Sequence, residues 1–85
     1  MYTLYIIECA DGSLYTGITT DLARRFKEHQ NGKGGHYTRA HKPVRIIYSE
    51  EHANRSQASV REAAVKRLTR EQKHALITNH AHLGE

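Results

Sequence analysis

Five side chains of this 85-residue chain are of the kinds that phosphate-ester chemistry uses: Tyr5, Tyr15, Arg25, His29 and Glu62. Cutting a phosphodiester needs a water stripped of its proton, a positive group over the phosphate and a way to stabilise the departing oxyanion. One divalent cation can serve the last two needs, and a single carboxylate suffices to hold Mg²⁺, which keeps most of its waters. Arg25 and His29 stand one helical turn apart. The tyrosines qualify only if one sheet face carries both, and Glu62 only if its helix leaves the carboxylate half-buried. Each residue also has a plainer reading. Two phenols on a strand can simply pack, Arg25 can salt-bridge Glu28 or Asp21, His29 can favour a helix C-terminus, and Glu62 can pair with Lys66.

The elements that must position these groups begin with Leu4 to Gly17, L-Y-I-I-E-C-A-D-G-S-L-Y-T-G, two β-type runs around Ala10-Asp11-Gly12. A two-residue Asp11-Gly12 turn would set residue 8 against 15 and put Tyr5 and Tyr15 on opposite faces. A three-residue loop ending in Gly12 sets 9 against 13, 7 against 15 and 5 against 17. Thr3, Tyr5, Ile7, Ser13, Tyr15 and Gly17 then share one face, and Leu4, Ile6, Leu14 and Ile18 the other. This second register is preferred, because it separates polar from apolar side chains and gives the left-handed position to a glycine. The strands are expected over Tyr2 to Glu8 and Ser13 to Thr19.

Thr20-Asp21 offers a cap for a helix from Leu22 to Gln30, which Asn31-Gly32 stops. Leu22, Arg25, Phe26 and His29 fall on its inward side, a mixture that a helix serving only for packing would not usually contain. Gly32 to Lys42, G-K-G-G-H-Y-T-R-A-H-K, reads as a glycine-rich basic loop ending at Pro43, without the G-K-[ST] of a nucleotide-binding loop. Its Lys33, His36, Tyr37, Arg39 and Lys42 are candidates for contact with a phosphate backbone, and the aromatic ring could stack on a base. A solvated linker is the alternative. Val44 to Ser49 is a third strand, although V-R-I-I-Y-S alternates poorly. Asn54 to Gln57 can form a capping box for a helix from Ser56 to Leu68, with Ala58, Arg61, Val65 and Leu68 inward and Glu62 at the border of that stripe. Thr69 and Gln72 repeat the box before a last helix from Arg70 to Asn79 with Ala75 and Leu76 inward, leaving His80 to Glu85 to fray. The fold class expected is α+β, a three-stranded antiparallel β-sheet flanked by helices in the order ββαβαα, forming one domain over 1–79.

So short a chain cannot divide into two independently cored units. With 38% hydrophobic and 26% charged residues it has a globular composition, and no apolar run approaches membrane-spanning length. A cytoplasmic protein with no membrane partner is expected. Cys9, the one cysteine, excludes an internal disulfide and reads as a small buried hydrophobe. The formal net charge is +4, and most of the excess lies in Arg24 to Arg45, where seven Lys and Arg are opposed only by Glu28. That balance favours a polyanion as partner. His36, His41, His52, His74, His80 and His82 share no compact ligand spacing, which argues against a structural zinc.

Thr3-Leu4-Tyr5 and Tyr15-Thr16-Gly17, either side of a tight hairpin and followed at once by a short basic helix, resemble the signature triplets of the GIY-YIG nuclease family. Both tyrosines and the last glycine are kept, while the first triplet reads T-L-Y and the second Y-T-G. The run Y-T-G-I-T-T-D-L-A-R-R-F-K-E-H-Q-N-G-K-G from Tyr15 and the run E-A-A-V-K-R-L-T from Glu62 look especially like the small single-domain bacterial members. The likeness extends from Tyr2 to about Ile77. It implies a metal-dependent nuclease site on the sheet face. Tyr5 and Tyr15 match the tyrosines of the two triplets, Arg25 the arginine of the first helix, His29 the histidine one turn on, and Glu62 the acidic ligand of a single Mg²⁺ or Mn²⁺. The planar fork of Arg25 suits the scissile phosphate. A phenol has a reference pKa of about 10, so Tyr5 or Tyr15 can act as base only if the metal, His29 or a nearby cation lowers it. Which tyrosine does so stays open, and His29 would relay or steady the proton.

The function expected is that of a metal-dependent endonuclease hydrolysing DNA phosphodiester bonds, with branched, flapped or damaged DNA in repair or recombination as the substrates to consider. No second module is evident for reading sequence, so specificity would come from a homodimer or a protein partner. A catalytically silent nucleic-acid-binding module of the same fold is the first alternative, and a protein-binding adaptor the second. Intact Tyr5, Tyr15, Arg25 and Glu62 favour turnover, since binding alone does not call for a half-buried carboxylate that repels phosphate.

Overall fold

The computed structural model describes residues 1–83, apart from the side chains of residues 36, 37 and 80–83. Along the chain come β1 (Tyr2–Cys9), β2 (Leu14–Thr19), α1 (Leu22–Gln30), α2 (His36–His41), β3 (Pro43–His52), α3 (Arg55–Lys66) and α4 (Arg70–Leu83). The strands form one antiparallel sheet in the order β2-β1-β3, with β1 in the centre. This is the ββαβαα arrangement, with the short α2 added inside the glycine-rich segment.

The hairpin adopts the register of a three-residue loop. Tyr5 pairs with Gly17 and Ile7 with Tyr15, while Gly12 takes the left-handed position at φ +84. On the other side of β1, Tyr48 stands opposite Ile6 but Ile46 stands opposite Ile7, so Ile47 is an extra residue at a bulge. The bulge explains why V-R-I-I-Y-S does not alternate. Ile46 packs on the Tyr5 face, whereas both Ile47 and Tyr48 lie on the Leu4 face. Pro43 opens β3, the strand position that best tolerates a missing N–H.

Both sheet faces are covered. α1 lays Leu22 and Phe26 against Tyr5, Ile7 and Cys9. On the opposite face Val65, with Leu68, Leu76 and Ile77 beside it, packs on Leu4, Ile6 and Tyr48. The face expected to be polar is therefore a second small core containing two phenols. Cys9 is buried within it, as a small hydrophobe should be.

The helix starts follow their caps. Asp21 accepts from the Arg24 N–H at 3.1 Å, Asn54 from the Gln57 N–H at 2.9 Å, and Thr69 and Gln72 bond reciprocally at 2.9 and 3.1 Å. Three expectations are corrected. First, the segment from Gly32 to Lys42 is not a plain loop, because residues 36–41 form α2. The Ala10 N–H donates to the Lys42 carbonyl at 2.9 Å, and His41 Nδ1 lies 2.6 Å from Asp11 Oδ2, tying the end of α2 to the hairpin turn. Lys42 then turns the chain at φ +47 ahead of Pro43. Second, the last helix, expected to end at Asn79, runs on as α4 to Leu83, since no glycine or proline intervenes before Gly84. Residues 84–85 lie outside the described residues. Third, Ala75 is exposed and Ile77 joins Leu76 on the core, a larger side chain gaining more from burial than a methyl group.

Candidate active site

Because the hairpin register places Tyr5 and Tyr15 on one face, α1 brings Arg25 and His29 down onto that face. Tyr5, on the central strand, is 1% exposed, and its hydroxyl lies 2.8 Å from His29 Nε2. The other ring nitrogen, Nδ1, lies 2.8 Å from the Thr38 hydroxyl of α2, with His29 and Thr38 both buried. Tyr15, half-buried on the edge strand, meets the His29 ring edge-on at a centroid distance of 5.1 Å and lies 6.4 Å from the Tyr5 ring. The three rings thus form one cluster, with the phenol and imidazole hydrogen-bonded at its centre.

Arg25 reaches the same place from one turn earlier. Its Nη1 donates to Glu28 Oε1 at 3.0 Å and its Nη2 to the Gly34 carbonyl at 3.2 Å. The plainer salt bridge to Glu28 is therefore made, while the guanidinium stays close enough to oppose the rise of the Tyr5 phenol. Burial drives the Tyr5 phenol up to about 12, the Tyr15 and Glu62 charges add to the rise, and Arg25 works against it. His29 is pushed below the usual imidazole range, first by burial and then by Arg25, with Glu28 opposing. The resting site is a neutral phenol bonded to a neutral imidazole under a cation.

Two glycines make this packing possible. A Cβ at Gly17, directly across from Tyr5, would lie 2.6 Å from the Tyr5 hydroxyl oxygen. A Cβ at Gly34 would lie 1.9 Å from His29 Nδ1. Gly34 and Thr38 are the residues that sequence reasoning passed over. A threonine amid glycines and cations carries no periodic signal, and a glycine beside Gly35 invites a reading of mobility, when here it is a close approach.

Glu62 sits on α3 with its side chain 23% exposed, paired with Lys66 Nζ at 3.3 Å. The plain i,i+4 pairing is thus present, while the carboxylate stays close enough to the cluster to raise the Tyr5 phenol. Among the described residues no three His, Cys, Asp or Glu side chains come together. A lone carboxylate near phenol oxygens fits Mg²⁺ or Mn²⁺, which keep a partial water shell, and not a cage of protein ligands. Of the basic segment, Arg39 and Lys42 line a pocket of about 490 Å³ with His29, Asn31 and Thr38, and Arg39 Nε donates to the Gly32 carbonyl at 3.3 Å. Lys33 is exposed. The side chains of His36 and Tyr37 lie outside the described residues, so the structure does not place these two candidates.

A ββαβαα fold with two tyrosines on one sheet face beneath an arginine and a histidine of the first helix defines a GIY-YIG catalytic domain, and the family model of that description matches residues 1–75. It is a nuclease-like fold. Within it the chain belongs to the UPF0213 family of small proteins from bacteria and archaea. It is 53% identical over 74 residues to a UPF0213 protein of Streptococcus sanguinis, covering 87% of this chain and 85% of that one. A UPF0213 protein of Halobacterium salinarum is 47% identical over 77 residues, covering 91% of this chain and 100% of that one. The solution NMR structure of a UPF0213 protein from Bacillus halodurans is 43% identical with a TM-score of 0.59, covering 92% of this chain and 84% of that one. An E. faecalis protein, also solved by NMR, is 43% identical with a TM-score of 0.64, covering 94% and 86%. Among the described residues no helix is long and apolar enough to cross a membrane.

Proposed function

We propose that this protein is a DNA endonuclease that hydrolyses phosphodiester bonds with a single Mg²⁺ or Mn²⁺, and that branched, flapped or damaged DNA forms its substrates. The observation that carries the reading is the buried Tyr5–His29 hydrogen bond of 2.8 Å with Arg25 beside it. A sheet face built only for packing gains nothing from burying a phenol and an imidazole under a guanidinium, because each polar group must be satisfied at a cost in desolvation. In this reading Arg25 grips a non-bridging oxygen of the scissile phosphate. Tyr5 takes the proton of the attacking water, since it has a bonded acceptor for its own, and the half-buried Tyr15 flanks the water and the phosphate. Glu62, paired with Lys66 in this structure, would hold the cation. When bound, the cation supplies positive charge for the developing oxyanion and makes a water easier to deprotonate. Lys33, Arg39 and Lys42 carry the flanking strand through its phosphates, so specificity for sequence comes from a second copy or a partner protein.

The test is cleavage of labelled single-stranded, duplex and branched DNA with Mg²⁺ or Mn²⁺ by the wild type, Glu62→Ala and Arg25→Ala. Metal-dependent nicking by the wild type, lost in both folded variants, is the expected result. Wild type that binds DNA and never cuts it would leave a binding module, with the tyrosines as scaffold.

A further inference from the structure

We propose that Thr38 is the last member of a proton relay, Tyr5 to His29 to Thr38, that carries the proton of the attacking water out of the site into the pocket between the end of α1 and α2. The inference rests on the nuclease reading above. Its geometry is a continuous line of two hydrogen bonds, 2.8 Å from the Tyr5 hydroxyl to His29 Nε2 and 2.8 Å from His29 Nδ1 to the Thr38 hydroxyl, with the three residues 1%, 0% and 1% exposed. The direction of the line follows from counting donors. Arg25 can only donate, so the acceptor described for the Tyr5 hydroxyl proton is Nε2. A neutral ring that accepts at Nε2 carries its proton on Nδ1 and donates it to Thr38. In the relay the Thr38 hydroxyl proton would pass to water in the pocket of about 490 Å³ that Thr38 and His29 both line.

The transfer balances. A proton leaves the attacking water for the Tyr5 oxygen as the phenol proton passes to Nε2. The Nδ1 proton passes to the Thr38 oxygen, and the former Thr38 proton leaves for water in the pocket. Tyr5 gives a proton as it takes one, so the phenol works without resting as a phenolate, which burial opposes. The ring ends neutral in its other tautomer, and passage in the reverse direction after product release restores the first. Burial and Arg25 oppose an imidazolium, so a proton arriving at His29 must be handed on. The charges facing this line are Arg25 and Glu28 on α1, Tyr15 on β2 and Glu62 on α3.

The experiment compares wild type, Thr38→Val and Thr38→Ser for cleavage rate and for DNA affinity without metal, and reads the His29 tautomer of the wild type from two-bond proton–nitrogen NMR correlations. Thr38→Val keeps the shape and loses the hydroxyl, so its cleavage rate should fall by about 10²-fold with affinity unchanged. Thr38→Ser should restore most of the rate, and the wild-type ring should carry its proton on Nδ1. A Thr38→Val enzyme as fast as wild type, or a wild-type ring protonated on Nε2, overturns the relay while leaving the nuclease reading intact. Wild type that cuts no DNA removes the nuclease reading, and the relay falls with it. The tautomer is read on unmodified protein, so the relay can still be refuted where Thr38→Val fails to fold.

Discussion

Gly34→Ala should be among the most damaging single-methyl changes in the chain, and the cost should vanish when His29 is absent. The added Cβ would sit 1.9 Å from His29 Nδ1 and 2.6 Å from two ring carbons. Ordinary contact needs about 3.5 Å, so the imidazole must retreat by roughly 1.5 Å. It cannot do so and keep its bonds to Tyr5 and Thr38, each 2.8 Å long. Two buried hydrogen bonds at about 1 kcal/mol net each, with overpacking at about 1–3 kcal/mol, give a destabilisation of about 3–5 kcal/mol. That is a large part of what a small domain has. In a His29→Ala background the ring is gone. Gly34 is not among the glycines with positive φ, so alanine there should be neutral or stabilising by up to about 1 kcal/mol. Urea unfolding of wild type, both single variants and the double variant at neutral pH reads the coupling, expected at about 3 kcal/mol or more. Costs that add within about 0.5 kcal/mol would refute the close-approach account of Gly34.

Tyr5→Phe should show an alkaline signature. The phenol titrates at about 12 when folded and 10.0 when free, so the unfolded chain loses its proton first, and the stability held by the neutral phenol is complete below pH 10. As pH rises toward 12 about 2–3 kcal/mol is lost, and the difference between wild type and Tyr5→Phe in urea midpoints should shrink over that window. Unchanged spacing of the two curves would contradict it. Among the described residues Thr16 keeps a buried hydroxyl with no hydrogen-bond partner, on the face opposite the tyrosines. Thr16→Val should therefore raise stability by about 1 kcal/mol, and a lower thermal midpoint would show the hydroxyl to be satisfied. Lys66 competes for Glu62 through a pair worth about 0.4 kcal/mol. Lys66→Ala should thus roughly halve the metal concentration for half-maximal cleavage, and a rise instead would separate Glu62 from the metal.

The helices were legible where their caps are chemical. Asp21, Asn54 and Thr69 each place a side-chain oxygen on orphan N–H groups, and those starts are local events that a sequence states directly. The hairpin register was legible because Gly12 can stand at positive φ and the two-residue alternative mixes polar with apolar on each face. What the sequence hid is tertiary. α2 owes its place to Asp11 and Ala10, some thirty residues away, and no pattern within G-K-G-G-H-Y-T-R-A-H-K reports that tie. The bulge at Ile47 breaks the alternation that would announce β3. Tyr5, Tyr15, Arg25 and His29, which the structure brings into one cluster, were singled out by residue type together with the likeness of the two triplets. Thr38 and Gly34 were missed because their contribution lies in what they touch and in the room they leave.

The opposite face supplies a contrast to the Tyr5 cluster. There Glu50, on β3, takes a hydrogen bond from the Tyr48 hydroxyl at 2.5 Å, lies 2.6 Å from His52 Nε2, and receives Arg61 Nε at 3.1 Å. Burial works to raise its pKa, yet the carboxylate is held below the usual range because Tyr48, His52 and Arg61 bond its charged form. Tyrosine, histidine, arginine and an acid are all present, as they are across the sheet, but here they close on one another. Both Glu50 oxygens accept hydrogen bonds, so a metal would find no lone pair to spare. Across the sheet Arg25 holds only one carboxylate oxygen, and the imidazole ends on a hydroxyl at a pocket wall. The same residue types are thus a staple on one face and an open chain of donors and acceptors on the other. Glu50→Gln should accordingly cost folding stability and leave the rate per folded molecule unchanged, whereas Glu62→Gln should cost rate and leave stability nearly unchanged. The reverse pattern in unfolding and cleavage assays would put the active centre on the wrong side of the sheet.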